Sequence, residues 1–182
     1  VVLALMLSAG AASPVLAGTS RALEATAAKG VSTLSLDGLV FRTTGARISN
    51  QVLHTFSGSR TVLVTWDETT GRGTVGYSAL SLDGNRFNQV METGRDLRLR
   101  YARFDPHAGT PAVPPELKAG AANELYIVQF MATPLDEMRA QIAAAGGVVE
   151  RYLPDNAHVV RMDTRTRDEV AAMPLVRWVG AY

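Results

Sequence analysis

Two spacings of apolar residues alternate along the last third of the chain, and they predict its elements in order. Leu125, Ile127 and Gln129 interleave with Tyr126, Val128 and Phe130, the period of a strand with one apolar and one mixed face. Leu135, Met138, Ile142 and Ala145 then follow at i, i+3, i+7 and i+10, the stripe of a helix that faces a core. Pro134 sits near the first helical position, with Thr133 as N-cap and Asp136 and Glu137 at the positive end of the helix. Gly146-Gly147 ends it, one glycine supplying the left-handed conformation. Residues 148–153 and 157–162 read as strands about the tight turn Pro154-Asp155-Asn156. Asp163 or Thr164 caps a second helix with Val170, Ala171 and Met173 as its apolar positions, and Pro174 stops it. In the last strand Val176, Trp178 and Gly180 alternate with Arg177, Val179 and Ala181. Two right-handed strand–helix–strand units predict a four-stranded antiparallel sheet with both helices on one face, a ferredoxin-like βαββαβ domain over 123–182. The sheet's other face then has no helix to cover it. A domain of about 60 residues in that state is marginal alone or held by a partner.

Upstream the pattern changes to short alternating runs bounded by turn residues. Strands are expected at 33–36, 39–42, 60–66, 73–82, 86–91 and 97–104, punctuated by Asp37-Gly38, Ser57-Gly58, Thr70-Gly71, Asp83-Gly84 and Thr93-Gly94. Asp-Gly between apolar runs signals a hairpin, because both central positions of a type I′ turn need positive φ. The region 31–104 therefore reads as a small antiparallel β module. The string Thr33-Leu-Ser-Leu-Asp-Gly38 returns as Ala79-Leu-Ser-Leu-Asp-Gly84, but the residues after each copy diverge at once. It is read as two solutions of one turn problem. Residues 105–122, rich in Pro, Gly and Ala, form an extended linker and the domain boundary. The expected fold class is α+β, with the β module preceding the ferredoxin-like domain.

The first residues add a destination. Residues 1–7 are apolar, and Val15 and Ala17 occupy the −3 and −1 positions of a secretory cleavage site before Gly18. Residues 1–17 thus read as a signal peptide without its n-region, and 18–30 as an Ala-rich leader, either a short helix or mobile. The apolar run is shorter than the about 20 residues a membrane span needs. The expected location is secreted, periplasmic or extracellular, with no stable membrane association after signal removal. The chain has no cysteine, so export brings no disulfide framework. Its formal net charge of +1 gives no electrostatic case for nucleic acid as a partner.

The run LYIVQF…GGVVERYLPDNAHVVRM…VAAMPLVRWVGAY resembles the N-terminal propeptide of secreted bacterial subtilisin-like serine peptidases. The turn Tyr152-Leu-Pro-Asp-Asn156 and the strand Val176-Arg-Trp-Val-Gly180 carry most of it, and the stretch 100–119 resembles the lead-in of some such precursors. The resemblance implies a propeptide that lays its sheet on the peptidase domain, templates its folding and inhibits it with a C-terminal tail. Carried over, the partner is a cognate subtilisin-like peptidase domain in cis, and the partner-binding tail begins at Gly180, Ala181 and Tyr182. An extended segment of that kind binds as an added strand through main-chain hydrogen bonds. The alternative is a stand-alone exported binding module or peptidase inhibitor, in which the β module recognises a ligand. The upstream β module resembles no family.

Fragments that echo a peptidase do not assemble into one. Gly18-Thr19-Ser20 precedes both His107 and every Asp-Gly pair, the reverse of the order in that family, and Gly76-Tyr-Ser78 lacks the second glycine of a nucleophile elbow. The chain is expected not to be an enzyme, and to need no cofactor. His54, His107 and His158 lack ligand spacing, so no metal site is expected. His158 is a candidate pH-sensitive group. Asp136 with Glu137 and Asp168 with Glu169 read as solvated helix charges, and Trp66 and Trp178 as core anchors.

Overall fold

The computed structural model describes residues 21–182. The expected signal peptide over 1–17 and the Gly18-Thr19-Ser20 triplet lie outside these residues. Strand follows strand through the first half: β1 (Leu23–Ala28), β2 (Val31–Leu36), β3 (Leu39–Thr44), β4 (Arg47–Thr55), β5 (Val62–Thr70), β6 (Gly73–Ser81) and β7 (Gln89–Thr93). The first three make one antiparallel meander and the next four a second. Leu34, Leu36, Val62, Val64, Trp66 and Ala79 form the core between them. A two-stranded ribbon follows, β8 (Leu97–Arg98) with β9 (Arg103–Phe104). After a segment with one 3-10 turn at Pro115–Leu117 come β10 (Leu125–Phe130), α1 (Asp136–Ala144), β11 (Val148–Leu153), β12 (Ala157–Arg161), α2 (Thr164–Ala171) and β13 (Val176–Ala181). Their sheet has the order β11-β12-β10-β13, antiparallel at every pairing.

The expected α+β class with a C-terminal ferredoxin-like βαββαβ domain is corrected. The described residues are mostly β, their strands lie in four sheets, and their two α-helices have only nine and eight residues, so this is not a ferredoxin-like fold. Periodicity treated the last third as a self-contained layer pair, and burial shows why it is not one. On the helix side, Val128, Phe130, Met138, Ile142 and Val160 share a core with Phe56 and Leu63 of the first half. On the opposite side, Ile127 and Ala157 are closed over by Leu97, with Leu99, Phe104 and Trp178 packed around them. The sheet face that the sequence leaves bare is covered by the chain's own β8–β9 ribbon.

Turn chemistry sets the registers. Asp37 (φ 51°) and Gly38 (φ 81°) both take positive φ between β2 and β3, as a type I′ hairpin requires. Asp155 (φ 65°) and Asn156 (φ 61°) do the same between β11 and β12. Lys29 and Gly30 join β1 to β2 in the same way. Asp83-Gly84 is built differently, with only Gly84 at positive φ. There the Asp83 carboxylate accepts from the amides of Asn85 (2.8 Å) and Arg86 (2.9 Å) and from the Ser81 hydroxyl (3.0 Å). The Arg86 and Asn85 amides, then Ser81, hold its pKa down at about 2. The repeated Leu-Ser-Leu-Asp-Gly string thus makes two different turns.

Helix α1 begins two residues later than the Thr133 cap predicts: Leu135 occupies the N-cap, and its side chain has no group to accept a capping bond. Glu137 takes a bond from the Ser59 hydroxyl instead (3.0 Å), which ties the start of α1 to the loop after β4. Asp163 caps α2 as expected, accepting from the Thr166 amide at 2.7 Å.

Because Leu63 belongs to the core shared with the last sheet, the two halves should unfold together. Leu63→Ala is expected to cost about 2–5 kcal/mol. Urea unfolding followed separately on Trp66 and Trp178, in single-tryptophan variants, should show one coincident midpoint that this substitution lowers for both. Two separate transitions, or a shift confined to Trp66, would refute the shared core.

Candidate functional site

A groove of about 460 Å3 lies between the outer face of the β4–β7 sheet and the last sheet, walled by Asn50, Thr65, Asp67, Arg95, His107 and Arg177 among others. Gly76 keeps its floor open. A Cβ there would run into the Thr93 hydroxyl and come within 3.5 Å of the Asp67 carboxylate. Asn50 donates to Asp67 Oδ2 at 2.9 Å, while the Arg95 guanidinium stands 3.8 Å from the other oxygen. The wall is therefore of mixed charge, with Arg95 only loosely engaged.

One side of this groove is closed by a latch centred on Arg177 of β13. Its Nη1 donates to Gln129 Oε1 (2.8 Å) and to the Arg95 carbonyl (2.9 Å), and its Nη2 to Asp105 Oδ1 (2.6 Å). Gln129 is fully buried near the end of β10, an inner strand of its sheet, and donates its own amide to the Arg95 carbonyl at 3.2 Å. Asp105 also accepts from the His107 amide (3.0 Å), and His107 Nε2 donates to the Arg177 carbonyl (2.8 Å). Burial pushes the Asp105 carboxyl up, but the Arg177 bond and the His107 amide outweigh it and hold the group below the usual aspartate range. A second clamp, Arg98 to both oxygens of Asp155 (2.7 and 2.8 Å), pins the ribbon to the β11–β12 turn. Together they fix the 95–107 stretch across the sheet.

The histidines are used singly. His54 Nε2 lies 3.0 Å from the Thr65 hydroxyl, His107 bonds the Arg177 carbonyl, and His158 Nδ1 lies 3.2 Å from the Arg151 carbonyl. Asp37 holds Arg21 and the Ala22 amide, and Asp83 holds its own turn. Among the described residues no three His, Cys, Asp or Glu side chains converge as a metal site would require. The groups brought together here position backbone and hold strands in place.

The tail residues Gly180, Ala181 and Tyr182 lie in the sheet. Gly180 and Ala181 pair with Ile127 and Tyr126, and the Tyr182 amide donates to the Leu125 carbonyl at 2.9 Å. A Cβ at Gly180 would fall inside the Trp178 indole, which lies over it. Trp66 is buried and Trp178 partly so, each packed in a core cluster. Arg177, Asp105 and Arg95 were not singled out from sequence. One signal points to them: Gln129 within the apolar run LYIVQF, since a polar side chain in a strand buried on both faces must find partners.

Residues 98–182 match the model of a family described as "Domain of unknown function (DUF8729)". The matched span takes in most of the ribbon, the 105–122 segment and the whole last sheet, so the similarity extends over the sheet together with its cover. No curated protein and no solved structure matches the chain.

The latch and His158 give two tests. Arg177→Met strands Gln129 and Asp105 without their cation and should cost about 1–3 kcal/mol in urea unfolding. A loss within error would reduce the latch to a surface contact. His158 is buried, and its Nε2 has no partner among the described residues, which fits a neutral ring donating from Nδ1. Burial above all, and then Arg139, hold its pKa below the ordinary 6.5, against the opposing pull of the Arg151 carbonyl. The unfolded state then takes up the proton first. The His158 contribution should be complete above about pH 6.5 and decline as pH falls through the lowered folded value. His158→Leu should flatten that part of the stability–pH curve; an unchanged slope would exclude it.

Proposed function

We propose that this chain is the pro-region of an exported subtilisin-like serine peptidase precursor, a non-catalytic module that assists folding of the peptidase domain and holds it inactive. The resemblance of the 152–156 turn and the 176–180 strand motivates the reading. The observation that carries it is β13, which contains the second of these motifs and, among the described residues, pairs on one side only, with β10. The covered sheet face alters how such a module would work. With Leu97, Leu99 and Phe104 packed on it, that face is not free to lie on a partner, and contact falls to the edge or to the helices. Export rests on the signal-like residues 1–17.

A second reading is an exported binding module, favoured by the mixed-charge groove between the halves. Clefts at such junctions are common ligand sites.

The test is to join the two. The reading frame beyond Tyr182 is expected to encode Asp, His and Ser motifs in that order. Residues 21–182, added in trans, are expected to inhibit the isolated peptidase and to raise its refolding yield. A frame without those motifs, or a peptidase indifferent to the added chain in both assays, overturns the reading.

A further inference from the structure

We infer that the outer edge of β13, with the apolar groove beside it, receives an extended strand of the partner peptidase; the inference rests on the pro-region reading above. The Tyr182 amide donates to Leu125, across β13 from β10. By the two-residue alternation of an antiparallel ladder, Gly180 and Trp178 also face β10, while the amides and carbonyls of Val179 and Ala181 point outward. Farther back the edge is shut, because the His107 ring occupies the Arg177 carbonyl. Among the described residues the open stretch lies at 179–181.

Strand β13 has its own register break at Arg177, but beyond it the two edges of this sheet are treated differently. The β11 edge carries a register break between Val149 and Arg151, two charged residues, Glu150 and Arg151, and Pro154 just beyond it. Bulges, charges and proline are the devices that keep a sheet edge from pairing. Residues 178–182, Trp-Val-Gly-Ala-Tyr, carry none of them. Alongside lies a groove of about 410 Å3, walled mainly by apolar groups of Leu99, Tyr101, Phe104, Val113, Pro114 and Trp178. Tyr101 is 86% exposed at its rim. Outward backbone groups next to an apolar groove are the complement of a strand that offers its main chain and one aliphatic or aromatic side chain. Unpaired donors and acceptors call for another backbone, and the groove sets the kind of side chain that accompanies it.

Ala181→Pro tests this without touching the β10 ladder, because residue 181 is exposed and its amide faces outward. The variant should keep the wild-type urea midpoint yet inhibit the peptidase about tenfold less well, from a lost donor and a blocked approach. Amide exchange supplies a readout that needs no variant. In the free chain Trp178 and Gly180 should exchange slowly and Val179 and Ala181 fast; in the complex all four should be slow. Tyr101→Ser should weaken inhibition through the groove alone. If Val179 and Ala181 exchange freely in an inhibited complex, the edge inference falls and the pro-region reading stands. If the wild-type chain does not inhibit, both fall. A chain that dimerises and protects these amides without peptidase shows that a second copy takes the edge, which also overturns the inference.

Discussion

Strand β5 has no solvent face at its start, and the rest of the molecule depends on that. Val62, Leu63 and Val64 are consecutive and each no more than 3% exposed. Side chains of a strand alternate sides, so three in a row are buried only when both faces are covered. Val62 and Val64 face the sandwich core with Leu34, Leu36 and Trp66; Leu63 faces the other way, into the cluster of Phe130, Met138 and Ile142. Neither half closes its core without this strand. Farther along, Glu68 is drawn into the same layer. Burial pushes its carboxyl up, but bonds from Arg42, Trp66 and Thr44 outweigh it and leave it below the usual glutamate range. Arg42 meets it with two bonds of 2.6 and 2.8 Å across the sandwich, which fixes how β3 sits on β5.

The last sheet solves its own burial problem by a different route. Its second face carries Ile127, Ala157 and the buried Gln129, none of which tolerates water without loss. The ribbon that covers it is too short to be held by its own ladder, with only two residue pairs. The Arg98–Asp155 and Arg177–Asp105 clamps do that work at its two ends. Polar groups here thus secure an apolar cover, and most of the cover, from Arg98 onward, lies within the span that matches a family.

How much of this was legible follows from residue spacing. The Asp37-Gly38 and Asp155-Asn156 turns and the α1 stripe of Met138 and Ile142 are local signals, and the structure uses them locally. Strand β1 was hidden because Leu-Glu-Ala-Thr-Ala-Ala has helix-forming composition; pairing with β2 overrides it. Strand β4 was hidden by a register break between Ser49 and Val52, with Asn50 at φ 52°, which destroys the alternation a strand is recognised by. The segment 105–122 was read as a linker from its proline and glycine. Its apolar residues in fact wall a groove, and Asp105 anchors the latch. That latch joins residues 48, 72 and 82 positions apart. No periodicity reports contacts at such separations, and only the buried Gln129 betrays them.

With the ribbon packed on its second face, the last sheet leaves the β13 edge and the apolar groove beside it for recognition. Among the described residues that edge offers the outward groups of Val179 and Ala181, and each hydrogen bond contributes about 1 kcal/mol net. In trans such a surface inhibits a free partner only when the chain is added in excess. Tethered to it, the same surface works against an effective concentration in the millimolar range, where weak contacts are saturated. On the proposed reading, the partner follows in the same chain, so a short edge suffices before cleavage. Once the tether is cut, the same few bonds let go readily. The covered face then favours release as much as inhibition, because it denies the partner the large apolar area that would make the complex permanent.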